Sequence, residues 1–207
     1  MQTRLNFFAE VTSLNHSAIN CQTGIDETLE NSPHWFRQIT NVLRTKASDK
    51  AKQLSGHHGP RILFIVSDHI SNPFVFGSYA AKEFLIGGSK YSVPFIDTSG
   101  NVKLKASLEN SAFFKEKMGE VKACRKSISA IILADLTGTD MRFVGLLHPE
   151  PVYKLNYLLF SSIPFIRVSN WPVQSNTIEL EWVVGSHSPS IFEHVKVKLT
   201  DEELKKL

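Results

Sequence analysis

Glu10, Thr12, Lys50 and Gln53 are residues of this 207-residue chain whose types and spacing suit phosphodiester chemistry. On a β-strand, positions 10 and 12 project to one face. On a helix, positions 50 and 53 share a face. A carboxylate so placed ligates a hard divalent cation, which polarises a phosphate and activates water. A lysine beside it stabilises negative charge or assists proton transfer. A second constellation, Asp97 with Glu120-Val121-Lys122, repeats the pattern with its acids 23 positions apart. The residues before Glu120, Phe114 to Gly119, read as a charged helix or turn, and Glu and Lys are good helix formers. His57-His58 stands between Gly56 and Gly59 and reads as an exposed turn; His148, before Pro149, reads as a local structural residue. The chain carries no GxxxxGK[ST], GxGxxG or GxSxG pattern, so the common nucleotide-loop, dinucleotide and nucleophile-elbow chemistries are poor fits.

Elements must hold these side chains. Residues 5–14 mix apolar and polar positions with aromatic and β-branched types and predict a strand. Residues 15–32 are polar and predict a loop with a short helix at 25–29. Trp35, Phe36, Ile39, Val42 and Leu43 recur at helical spacing, and Lys46, Lys50 and Lys52 enrich the later turns, so residues 33–54 predict a helix. Arg61 to Val66 is a short apolar run bounded by turn residues, the pattern of a strand buried on both faces. Residues 72–77 predict a loop, and residues 78–86 a helix closed by Gly87-Gly88. Segments 91–97 and 102–104 predict an excursion, and residues 112–126 a charged helix. Residues 128–136, 141–147 and 179–184 predict further strands and residues 163–168 a last strand or a buried connection, with a turn at 138–140 and a short apolar segment at 152–159. The last eight residues, 200–207, begin with an N-cap type and acids and end in lysines, predicting a terminal helix. The class is α/β with a mixed central sheet flanked by helices: one domain over 1–199 and a tail over 200–207.

Composition agrees with a packed core. Hydrophobic residues are 42% and charged residues 21%, with 14 Phe, 4 Tyr and 3 Trp, which excludes coiled-coil, collagen-like and wholly disordered chains. The formal net charge of +3 permits nucleic-acid contact without arguing for it. Two cysteines, Cys21 and Cys124, lie far apart in no zinc-binding pattern and suit a reducing compartment. The sequence has no apolar run long enough for a membrane span and opens without a secretory leader, so a cytoplasmic protein with no membrane partner is expected.

Five pieces carry a family likeness. Residues 7–13 (FFAEVTS), 50–54 (KAKQL) and 59–66 (GPRILFIV) resemble the later portion of the PD-(D/E)xK, restriction-endonuclease-like, nuclease superfamily. Residues 128–133 (ISAIIL) and 146–151 (LLHPEP) resemble the strand and the proline-bearing loop that close such domains; the likeness extends over most of residues 5–170. The resemblance implies a Mg²⁺-dependent nuclease acting on nucleic acid. Glu10 becomes the metal-binding carboxylate, Lys50 the group that stabilises phosphate or water, and Gln53 a residue that orients them. Lys46 and Lys52 become contacts to backbone phosphate, sequence-blind and weakened by salt. Thr12 stands where the family's lysine is expected, and Lys50 is its replacement from the helix. The family's earlier Asp has no counterpart in the nine residues before Glu10. The resemblance therefore implies a truncated domain, an acid supplied by a partner, or a domain without activity.

A different class fits the same residues: a non-catalytic α/β interaction or ligand-binding module. Its partner surface would use aromatics such as Phe74-Val75-Phe76 or Trp171-Pro172.

Overall fold

The fold is a mixed six-stranded sheet with two helices on one face, seen in a computed structural model. The residues described are 6–14, 33–67, 78–87, 95–96, 102–103, 108, 111–118, 120–136, 142–160, 162–173 and 178–183. The expected loops at 15–32, 72–77 and 138–140 and the helical tail at 200–207 lie outside them, as do His69, Asp97 and Phe74-Val75-Phe76.

Strand β1 (Phe8–Leu14) leads through helix α1 (Pro33–Leu54) to β2 (Arg61–Ser67), then to helix α2 (Ser78–Ile86). Two small hairpins follow: β3 (Phe95–Ile96) with β4 (Val102–Lys103), and β5 (Phe114–Lys117) with β6 (Glu120–Ala123). The chain returns to the sheet as β7 (Ala130–Asp135), β8 (Arg142–Leu147), β9 (Phe165–Val168) and β10 (Leu180–Val183). The sheet order is β1-β2-β7-β8-β9-β10. β1, β2 and β7 run parallel, β7 and β8 antiparallel, β8 and β9 parallel, and β9 and β10 antiparallel. Among the described residues, no helix is long and apolar enough to cross a membrane.

The two faces of the sheet bury different sets of side chains. Leu63, Ile131, Leu146 and Ile166 align across four strands and pack with Val42, Leu43, Ala47, Phe84 and Leu85 of the helices. On the other face Ile62, Ile132 and Phe165 pack under Leu155, Tyr157 and Phe160 of the segment that follows β8. With both faces covered, β2 and β7 need no polar alternation, which is why both read as continuous apolar runs. Fully burying each such side chain stabilises the fold by about 2 kcal/mol. The ring of Phe165 lies over Gly145 on the neighbouring strand, so close that a Cβ there would sit 2.1 Å from the ring.

Helix α1 shows three stripes. Thr40, Leu43, Ala47, Ala51 and Leu54 are buried at helical spacing and face the sheet. Lys46, Lys50 and Gln53 follow one another at i, i+4 and i+7, and Lys50 of this stripe reaches β1. Arg44, Ser48, Lys52 and Ser55 form the third stripe, toward the β5–β6 hairpin. The side chains of Trp35, Phe36 and Ile39 lie outside those described. Buried Arg61 fixes the end of α1: its guanidinium donates to the carbonyls of His57 and Ser127 and lies 4.9 Å over the Tyr153 ring. The exposed turn at His57-His58 matches its expected character; His57 stacks on Phe8, and His58 bonds Tyr153 at 3.0 Å.

One expected element is corrected. Residues 112–126 form not a charged helix but the β5–β6 hairpin, with register Phe114↔Ala123 to Lys117↔Glu120. Phe114 is buried while Lys115, Glu116 and Lys117 are exposed, and Met118 takes the left-handed φ of 54° at the turn. Cross-strand pairing, anchored by Phe114 against Trp171 at 5.4 Å, overrides the helix propensity of the lysines and glutamates. Trp171 is half-buried and packed on the core. The second constellation is a surface pair on this hairpin: Lys122 meets Glu120 at 2.9 Å, both exposed.

Candidate functional site: a clamp on the edge strand and a cationic cavity

Glu10 sits mid-way along edge strand β1, on the side shared with Thr12 and Leu14, while Val11 on the opposite side is open to solvent. Lys50 Nζ donates to Glu10 Oε1 at 2.5 Å and to Gln53 Oε1 at 2.9 Å. The strand–helix–strand order therefore brings together the three residues singled out in the sequence. The pair is part-buried, with Lys50 21% and Glu10 33% exposed.

Whether these groups suit Mg²⁺ is a question about donors. The ion takes six oxygens, usually with one or two carboxylates beside waters and substrate phosphate. Here Glu10 is the one carboxylate of the cluster, and an ammonium already lies on it. Among the described residues no three His, Cys, Asp or Glu side chains converge. This donor set does not fit the ion on its own.

Lys46 and Lys52 part company. Lys46 lies on the stripe of Lys50 and Gln53, whereas Lys52 lines a cavity of about 550 Å³ on the other flank of α1. The cavity lies between Arg44, Ser48, Lys52 and Ser55 of the helix side and Lys115, Cys124, Arg125 and Ser127 of the hairpin side. Four of its lining residues are cations and none is a carboxylate. Elsewhere Lys50, Lys122, Lys126 and Arg167 each carry a carboxylate partner. Lys52 and Lys115 carry none among the described residues.

Arg125 is the fixed wall of the cavity. Its backbone takes the left-handed φ of 56°. Its Nη1 donates to the Ser111 and Ala112 carbonyls at 3.0 and 2.8 Å, and its Nε to Ser48 Oγ at 2.9 Å. Nη2 makes no hydrogen bond among the described residues. Burial, with the like charge of Arg44, holds the Arg125 guanidinium below its usual pKa despite Cys124. Arg44 donates through Nη2 to Asn41 Oδ1 at 2.9 Å, and its Nε is buried without a partner. The serine hydroxyls are not spare donors: Ser48 donates to the Arg44 carbonyl, Ser55 to Lys52 and Ser127 to Ala51. The available N–H groups of the cavity thus belong to cations.

His148 and Cys124 brace this wall. His148 Nδ1 accepts from the Glu150 N–H at 2.9 Å, so Nε2 carries the proton donated to the Cys124 carbonyl at 2.8 Å. Its ring lies 4.5 Å from that of Phe113. Burial pushes its pKa down to about 4, against the upward pull of the Cys124 carbonyl and Glu150. Burial also pushes the Cys124 thiol up, against the pull of Arg125 and Lys115.

The sequence singles out Lys52 but not Arg44, Lys115 and Arg125, which share the cavity lining with it only in the folded chain. Compared with protein-family models, with curated proteins and with solved structures, the chain matches none.

Proposed function

We propose that the chain is a restriction-endonuclease-like α/β domain that engages nucleic acid through backbone phosphate, binding it rather than cleaving it. The observation that carries this reading is the cavity on α1, where Arg44, Lys52, Lys115 and Arg125 stand together with no carboxylate among the described lining residues. Unpaired cations on one surface attract a polyanion, and phosphate contacts from Lys and Arg are blind to base sequence. The parallel β1–α1–β2 unit, with Glu10 and Lys50 in contact, supports the nuclease-like part of the reading. In a binding domain that contact is a clamp between the edge strand and the helix. Binding of a labelled oligonucleotide, followed as salt is raised, tests the reading.

A second reading, Mg²⁺-dependent cleavage at Glu10, is favoured by the meeting of Glu10, Lys50 and Gln53. It requires a further acid from outside the described residues. Nicking of plasmid DNA by the full chain, with Glu10→Ala as the comparison, tests it.

A further inference from the structure

We infer that the cavity between α1 and the β5–β6 hairpin receives a terminal phosphate monoester, the phosphorylated end of a nucleic-acid strand. This narrows the proposed function to one chemical group and rests on that reading. Charge is the first reason. An internal phosphodiester carries one negative charge, whereas a phosphate monoester carries about −1.5 to −2 at neutral pH. The cavity gathers two guanidinium and two ammonium groups with no carboxylate among its lining residues, a larger positive field than a single diester needs.

The second reason is the state of the two arginines. Arg125 is held in place by bonds from Nε and Nη1, which leaves Nη2 as a donor on a rigid mount. Across the same cavity Arg44 donates to Asn41 through Nη2, and its Nη1 makes no hydrogen bond among the described residues. Two like charges so placed disfavour each other, and a dianion between them relieves that repulsion while accepting from both. Planar guanidinium groups suit phosphate oxygens in this role, because their donors lie in a fixed fork. Lys52 and Lys115, exposed and without carboxylate partners among the described residues, line the site from the helix and the hairpin.

The third reason is that the mount is built independently of any ligand. Ser127 Oγ donates to the Ala51 carbonyl at 2.7 Å, and the His148 bond holds the Cys124 carbonyl. Arg125 is therefore prepositioned, and little ordering of this guanidinium is needed when an anion arrives.

The test compares one short single-stranded oligonucleotide with and without a phosphate at its end, by anisotropy on the full chain. The phosphorylated strand is expected to bind about tenfold tighter. That preference should vanish in Lys52→Ala/Lys115→Ala and persist in Lys117→Ala, an exposed hairpin lysine outside the cavity. Should the double variant fail to fold, Arg44→Gln read the same way decides. Equal binding of the two strands overturns the inference and leaves backbone binding standing. Failure of both strands to bind overturns both. A nucleoside monophosphate that binds as tightly as the phosphorylated strand overturns the strand end as the ligand.

Discussion

Lys50 Nζ on helix α1 stands 2.5 Å from Glu10 Oε1 on edge strand β1, joining positions 40 residues apart in the chain. The same ammonium meets Gln53 Oε1 at 2.9 Å. The contact fastens the outermost strand to the helix that covers it. Because the pair is part-buried, its coupling exceeds that of a fully exposed ion pair only modestly. A double-mutant cycle with Glu10→Gln and Lys50→Met is expected to give a coupling of about 1 kcal/mol in urea unfolding. Additive single effects would show that the contact does not hold β1.

Mg²⁺ decides between the two functional readings. With one carboxylate already paired to an ammonium, the full chain is expected to give no saturable heat when titrated with Mg²⁺ to millimolar concentrations. Saturable heat that Glu10→Ala abolishes would favour cleavage over binding.

Gly145 tests the packing of the second sheet face. A Cβ at this position would overlap the Phe165 ring, which is buried in the core. Gly145→Ala is expected to cost about 2 kcal/mol of stability, and adding Phe165→Leu should return part of it. A Gly145→Ala variant melting with the parent protein would contradict the register of β8 and β9.

His148 makes stability depend on pH. Its folded pKa of about 4 lies below the ordinary 6.5. Between those values the unfolded chain takes up a proton that the folded one refuses. Stability is thus full above about pH 6.5 and falls as pH drops toward 4, by at most about 3 kcal/mol from this group. Urea midpoints across that window, with the His148 ring followed by NMR, check this. A ring that titrates near 6.5 in the folded protein would contradict its buried, neutral state.

Much of the fold was legible because each central element satisfies one local rule. Residues 33–54 carry apolar positions at helical spacing, and 61–67 and 130–135 are apolar runs that only a doubly covered strand explains. The Glu10–Lys50 contact was legible for a related reason, since a parallel strand–helix–strand unit lays the helix beside its first strand. The hairpin at 114–123 was not, because Lys and Glu favour helix locally and the pairing is decided by Phe114 packing against Trp171. The cavity was half-hidden. Lys46 and Lys52 look alike in sequence, yet they lie on different stripes of α1, and Arg125 reaches the cavity through a left-handed backbone that its residue type does not announce.

The central claim is that the cations of the α1 cavity hold nucleic-acid phosphate, and salt dependence tests it most directly. Anisotropy of a labelled single-stranded oligonucleotide, measured over a series of salt concentrations, gives the slope of log K against log salt. Because Arg44, Lys52, Lys115 and Arg125 converge on about two phosphates, the strand's terminal group and its neighbour, the slope is expected to be about −1.4 and to shrink to about −0.7 in Lys52→Ala/Lys115→Ala. No binding at low salt, or a slope unchanged by the double substitution, would contradict the account.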